Sequence, residues 1–407
     1  MKLNLQSHIR LALFYFLIVA LLGSVLRLFV LVDVPAKYRF LVHTHSHIAL
    51  LGWVYLALTT LIYKLYLEKE NIGTLYNRIF WFTQITIVGM LLTFPFQGYA
   101  LFSIVFSTLF LIASYFFTWM VFTKASVETK KLFSYKLVKS SLVFMVFSSL
   151  GPWALGAIMN TLGSTSIWYK LAIYFYLHFQ YNGWFVLALL GVLFYFLEYY
   201  GFFVKAKNQN RWLWLLNTSV LLTFFLSVLW TSPPFYMYLL AGLGALLQAV
   251  LFVVLFLWIV PVWKDFASKL ASGIGVLLLW AGVLLALKID MQLLSAIPYV
   301  AKLTYHTLDF VIGYMHLVFL GVVTIALFAF LKQTSLLKIP KFAFTLYLIA
   351  FIVTELLLFY KGTANWLRFS FFENYYLLLA VASILFAVVL LILFVKNGTS
   401  KNKIDTI

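Results

Sequence analysis

The chain contains no cysteine among its 407 residues. This absence excludes disulfide bonds, iron–sulfur clusters, thiolate metal sites and covalently attached c-type haem. Any metal chemistry must therefore use histidine, carboxylate or tyrosine side chains.

Charged residues are also scarce, at 10% of the chain, whereas 65% of the residues are hydrophobic and 20% are aromatic. A soluble domain is nearer to half apolar and a quarter charged. Repeated apolar runs of about 20 residues are typical of transmembrane helices. The composition therefore predicts an all-α, polytopic membrane protein embedded in a lipid bilayer.

The apolar runs divide into twelve predicted spans, and the basic residues between them indicate their orientation. The net charge of +18 could suggest a nucleic-acid partner, but of the 29 lysines and arginines 21 lie on the side of the termini and 8 on the other. Cytoplasmic loops carry such an excess. We therefore predict an inner-membrane protein with cytoplasmic N and C termini and no nucleic-acid partner. The predicted spans are 11–32, 43–65, 79–97, 100–122, 138–162, 168–197, 212–231, 236–262, 267–287, 303–331, 340–360 and 371–395.

One short pattern occurs three times. HIALLGWVYLAL begins at His47, HFQYNGWFVLAL at His178 and HLVFLGVVTIAL at His316, each with Gly five residues after the His. The copies fall in spans 2, 6 and 10. This spacing predicts three four-helix repeats around a pseudo-threefold axis along the membrane normal. In a single transmembrane domain, 1–407, the repeat units are about 1–122, 138–262 and 267–395, followed by a polar cytoplasmic tail, 396–407.

The histidines are the main candidates for function. Polar groups inside a bilayer are costly, and histidine is a common ligand of haem iron and other transition metals. Taken singly, a buried histidine could equally form an interhelical hydrogen bond, but three at equivalent positions favour ligands. His8 precedes the first span and is expected to be solvated. The other six, all assigned to spans 2, 6 and 10, are His43, His45, His47, His178, His306 and His316.

Spacing distinguishes these histidines further. His43 and His47 are four residues apart and share a helix face, whereas His45 points about 200° away. Span 2 can therefore present histidines to two neighbouring clefts. His306 lies three residues before Asp309. That pair could be a ligand with its orienting carboxylate, although a solvated pair at the interface is the favoured interpretation.

At these residues the chain resembles subunit I of the haem–copper oxidase superfamily, including cbb3-type oxidases and nitric oxide reductases. RFLVHTHSHIALLG contains the HxH, apolar run and Gly of the family's second helix, and the twelve-helix layout is similar throughout. The resemblance implies a low-spin haem held by His47, or by His43, together with His316. It also implies a second site, a haem, copper or iron, at His178, with His45 and Tyr181 as further candidates.

The sequence departs from the family in two places. Span 7 contains no histidine, so the paired copper ligands are missing. Tyr314-Met315-His316 replaces the HxH of the tenth helix, so a tyrosine stands where the high-spin haem ligand is expected. Ordinary four-electron oxygen reduction is therefore not expected. The prediction is a haem-binding redox protein that either transfers electrons or reacts with a small gas such as O₂ or NO, with its catalytic residues undetermined.

The resemblance also implies partners. The family binds haem propionates with loop arginines between its last two helices, a role for Arg368, although an arginine there could equally anchor at the interface. No soluble cytochrome module is visible in the sequence. Electrons would therefore come from a quinol or a separate cytochrome. Partner subunits are a further possibility.

Two other functions stay open. Repeats and midplane polar groups also occur in transporters and ion pathways, and a non-catalytic assembly subunit could keep relic histidines. Glu355, an acid within span 11, is either a proton donor or a hydrogen-bond partner of a neighbouring helix.

Overall fold

The computed structural model describes residues 3–202 and 206–398. Throughout these residues the chain forms helices and short connections, and no β-strand occurs within them. Most of the predicted tail 396–407, from residue 399 onward, lies outside the described residues.

Twelve helices in the described residues are long and apolar enough to cross a membrane. This confirms the predicted polytopic, all-α class and the number of spans. The helices are α1 (Leu5–Leu28), α2 (Tyr38–Glu70), α3 (Gly73–Gln97), α4 (Leu101–Lys124), α5 (Phe133–Thr161), α6 (Ile167–Tyr199), α7 (Asn208–Thr231), α8 (Phe235–Lys269), α9 (Ile274–Ser295), α10 (Leu308–Gln333), α11 (Lys341–Leu367) and α12 (Tyr375–Lys396).

The contacts divide the chain into two compact units. The first unit comprises residues 1–64, 71–117 and 327–407, and the second comprises 65–70 and 118–326. Within the first unit, α1 packs against α12, and α12 packs against α11. Within the second, α5 packs against α6 and α7 against α8. These units do not follow the boundaries of the three sequence repeats, whose arrangement stays a prediction.

The three helices that carry the repeated pattern are the most buried. The most apolar stretch of the helix is 83% buried in α2, 83% buried in α6 and 72% buried in α10. In each of the other nine helices at most 50% of that stretch is buried. Each of the three also changes from α-helix to π-helix directly after its repeat histidine. The π-helical segments are Ile48–Tyr55, Phe179–Phe185 and Leu317–Val323. The sequence repeat therefore corresponds to a repeated feature of the backbone. Because π-helix is rare and concentrates at functional sites, this feature marks the three positions as candidate sites.

The glycine of the pattern permits close helix packing. A Cβ atom on Gly52 would lie 2.9 Å from the Cβ of Tyr15 on α1, and one on Gly183 would lie 2.6 Å from the Cβ of Phe144 on α5. Contacts this short leave no room for a side chain. Small residues of this kind let membrane helices approach each other, which explains the glycine in these two copies.

The boundaries of two predicted spans change the placement of polar residues. Span 9 was predicted as 267–287, but α9 continues to Ser295 because Lys288 is buried and hydrogen-bonded inside it. The prediction that His306 lies on span 10 is wrong. His306 ends a separate short helix, Pro298–His306, and is exposed, because the backbone of Thr307 (φ −115°, ψ 84°) breaks the helix before α10 begins.

The prediction that His8 is solvated is also wrong. α1 begins at Leu5 and places His8 inside the first unit with 6% of its surface exposed. Its ring stacks on Phe80 with the centroids 3.6 Å apart, and Nδ1 lies 3.5 Å from the Tyr76 hydroxyl. Both partners come from α3, so the sequence near His8 contained no sign of this burial.

Candidate functional sites at the repeat histidines

In the first unit, His43 and His47 share a face of α2, as predicted. The His47 Nδ1–H donates to the His43 carbonyl at 2.9 Å, so Nε2 is the nitrogen that carries the lone pair. The Tyr99 hydroxyl donates to that Nε2 at 3.1 Å. The rings of both histidines also pack against the Tyr99 ring, with centroids 4.7 and 5.6 Å away. A metal at His47 would therefore displace the tyrosine hydroxyl.

His45 points to the opposite side of α2, which agrees with the predicted geometry. Its Nδ1–H donates to the Val19 carbonyl of α1 at 3.0 Å. A Cβ atom on Gly23 would lie 3.1 Å from the His45 Cε1, so α1 accommodates the imidazole with a glycine. His45 therefore serves as an α1–α2 contact, with Nε2 as its lone-pair nitrogen.

In the second unit, His316 repeats the conformation of His47. Its Nδ1–H donates to the Ile312 carbonyl, four residues earlier, at 2.9 Å. Metal-binding histidines usually donate the second ring N–H to a carbonyl or carboxylate in this way, which sets the tautomer and the ring orientation. His47 and His316 thus have the internal geometry of a ligand that binds through Nε2.

His178 differs from the other two. It is 1% exposed, and Nε2–H donates to the Val220 carbonyl of α7 at 2.9 Å. Asn182, four residues later, donates from Nδ2 to His178 Nδ1 at 3.1 Å. Both ring nitrogens are therefore occupied by protein groups, and metal binding would require one of these bonds to break.

The bonds of His178 continue into a network that contains a buried lysine. Lys288 of α9 donates from Nζ to Asn182 Oδ1 and to Gln292 Oε1. Lys288 is 2% exposed, Asn182 1% and Gln292 6%. We call His178, Asn182, Lys288 and Gln292 the Lys288 network. The network joins α6 to α9, and each donor in it meets an acceptor. The partners of the lysine in this network are uncharged amide groups.

Lys288 and Asn182 are not among the residues that the sequence singles out as candidates for function. Two signals were present: Asn182 lies four residues after His178 on one helix face, and Gln292 has the same spacing from Lys288. The stretch LLALKIDMQLL also stays apolar on both sides of its charged residues. The predicted span 9 ends at residue 287, one residue before this lysine.

The other predicted polar residues lie apart from hydrogen-bonded networks of this kind. Arg368 follows the end of α11 in a left-handed conformation (φ 60°, ψ 39°) with its side chain exposed. Its role as a propionate partner stays a prediction. Glu355, in contrast, is 8% exposed within the first unit, and neither carboxyl oxygen accepts a hydrogen bond. The alternative in which Glu355 hydrogen-bonds a neighbouring helix is therefore not what the structure contains.

The side chains that could act as metal ligands limit which metal groups these sites could hold. Among residues 3–202 and 206–398, no group of three or more histidine, aspartate or glutamate side chains converges as a metal-binding cluster. Haem needs only one or two axial imidazoles because the porphyrin supplies the other ligands. His47 and His316 each orient Nε2 as the lone-pair nitrogen, which is the requirement for one axial imidazole.

The sequence matches no model of a known protein family and no curated protein sequence.

Proposed function

We propose that the chain is a haem-binding redox protein of the membrane, with axial ligation through Nε2 of His47 and of His316. One observation carries the proposal: each of these histidines donates Nδ1–H to the carbonyl four residues earlier, at 2.9 Å. The resemblance to haem–copper oxidase subunit I supports the same two positions. Both side chains are partly buried on strongly buried helices.

A bound haem would supply one-electron chemistry, and the protein's residues would set how it is used. The Tyr99 hydroxyl, now 3.1 Å from His47 Nε2, would become a hydrogen-bond donor next to the ligand. His43 contributes its carbonyl to the orientation of His47, which favours His47 over His43 as the ligand. His178 uses Nε2 as a donor to the Val220 carbonyl at 2.9 Å, whereas His47 and His316 donate from Nδ1, which favours electron transfer at those two histidines over a second metal site at His178.

We also propose that the three four-helix repeats share a pseudo-threefold arrangement. The π-helical segment after each repeat histidine and the high burial of α2, α6 and α10 support it. Each repeat histidine would lie in the outer half of the membrane, and an external quinol or cytochrome would be the electron donor.

The first test is a reduced-minus-oxidised visible spectrum of the detergent-purified protein, with iron and copper counted per chain. We expect a sharp α band that is lost in His47→Ala and in His316→Ala. His306→Ala is the matched control, because His306 is exposed and lies off the spanning helices, and His43→Ala should keep the band because its carbonyl remains. A colourless, metal-free protein, or a band that survives both substitutions, would contradict the proposal.

The Lys288 network favours a second candidate function, a proton or anion pathway through the second unit. A buried lysine within a membrane span is costly and usually functional. Proteoliposomes that contain a pH-sensitive dye would test this candidate. Lys288→Met should abolish flux, whereas Lys170→Met, which removes an exposed lysine, should not. Equal flux with and without the protein would exclude proton conduction.

A further inference from the structure

Glu355 is an acidic residue at the middle of a membrane span. It lies 14 residues after the start of α11 at Lys341 and 12 residues before its end at Leu367. At 1.5 Å per residue it is about 18–21 Å from either end of the helix. Only 8% of its surface is exposed. Water at the ends of α11 therefore does not solvate this carboxyl group directly.

The protein does not solvate the carboxyl group either, because neither of its buried oxygens accepts a hydrogen bond. Glu198 of the second unit shows the usual alternative. Its Oε1 accepts from the Phe133 N–H at 2.8 Å and its Oε2 from the Ser134 hydroxyl at 2.5 Å, at the N-terminus of α5. A carboxylate without such donors is expensive in an apolar environment, so it binds a counter-charge or a proton.

The charged neighbour selects the proton over a metal cation. Arg27 of α1 is close enough to interact electrostatically with both Glu355 and His45. Its positive charge repels a second cation. Hard cations also require about six or more oxygen ligands, and the described residues near Glu355 form no metal-binding cluster.

Aromatic side chains of α12 and α10 contact α11 at residues that follow and precede Glu355 in the sequence. From α12, the Tyr375 hydroxyl donates to the Leu357 carbonyl at 2.9 Å, two residues along from Glu355. From α10, Phe328 packs on Tyr347 with ring centroids 5.3 Å apart. Arg27 is therefore the charge that stabilises an ionised Glu355, and His45 lies within the same field.

We propose that Glu355 is a proton-binding site of the first unit, with Arg27 as the charge partner of its ionised form. In one state the carboxyl group carries the proton and is neutral. In the other the O–H bond breaks, the proton passes to water, and the carboxylate is stabilised by Arg27. No electron moves, so the site does not depend on bound haem and goes beyond the function proposed above.

Infrared difference spectroscopy on the full chain in lipid nanodiscs tests the proposal, with spectra recorded after pH steps in H₂O and in D₂O. We expect a carbonyl stretch of a protonated carboxyl group that shifts in D₂O. The band should be completely lost in Glu355→Gln and unchanged in Glu198→Gln, the control whose carboxylate has donors. If Glu355→Gln does not fold, Glu355→Asp should move the band instead.

The charge partner is tested with Arg27→Gln, in which the band should persist at pH values where the unmodified protein has lost it. A native spectrum without the band, a band retained in Glu355→Gln, or a pH dependence that Arg27→Gln leaves unchanged would each overturn the proposal.

Discussion

The Lys288 network predicts that Asn182 and Lys288 are energetically coupled. Asn182→Leu removes the amide but keeps its approximate volume. Lys288 then loses a charge-assisted hydrogen bond, worth about 1.5–3 kcal/mol, and His178 Nδ1 loses its donor, at a further cost of about 1–3 kcal/mol. We expect the single substitution to destabilise the protein by about 3–5 kcal/mol, because the buried ammonium group is left with one fewer acceptor.

Lys288→Met removes the buried charge and, with it, the need for hydrogen-bond acceptors around an ammonium group. Alone it leaves Asn182 Oδ1 and Gln292 Oε1 without their donor, at about 1–3 kcal/mol each, offset in part because no ammonium group has to be desolvated. In the double variant Asn182→Leu/Lys288→Met, neither the orphaned ammonium nor the orphaned Asn182 oxygen exists. The combined loss should therefore fall short of the sum of the single losses by about 2–3 kcal/mol.

Equilibrium unfolding of the four proteins in a mixed detergent series measures this coupling. The control cycle uses Lys170→Met and Tyr305→Phe, because Lys170 Nζ donates to the Tyr305 hydroxyl at 2.9 Å on the exposed surface. We expect less than about 1 kcal/mol of coupling there, since water can replace the partner. If the losses at Asn182 and Lys288 are additive, with a coupling energy no larger than that of the control cycle, the claim that the network stabilises the second unit cooperatively is refuted.

Two further predictions concern packing and topology. Gly183→Ala should destabilise the protein by about 1–3 kcal/mol, because the new Cβ would lie 2.6 Å from a phenylalanine on α5. Gly282→Ala is the control: its Cβ would meet nothing within 4 Å, so the substitution should be neutral or stabilising by up to about 1 kcal/mol. Thermal unfolding of the two variants measures the difference. Because the chain has no native cysteine, Glu373→Cys and Glu128→Cys report orientation directly: an impermeant maleimide should label the first in intact cells and the second only after lysis. The reverse labelling would place the termini outside.

The comparison of sequence and structure is clearest at the histidines. The spacing predicted that His43 and His47 share a face and that His45 points away, and the structure confirms both, because helical periodicity follows from local sequence alone. The burial of His8 was not predictable in this way. Its partners Tyr76 and Phe80 are about 70 residues away in the chain, on another helix.

The sequence by itself determined the class of the protein, the number of its spans and the helices that carry the histidine pattern. Those properties depend on composition and on local apolar runs, which the bilayer selects by length. Only the tertiary structure decided which imidazole nitrogens carry a lone pair, that Lys288 is inside a helix, and that Glu355 lacks donors. The physical reason is that a polar group in a membrane protein is stabilised by its partners. For Lys288 the decisive partner, Asn182, is 106 residues away.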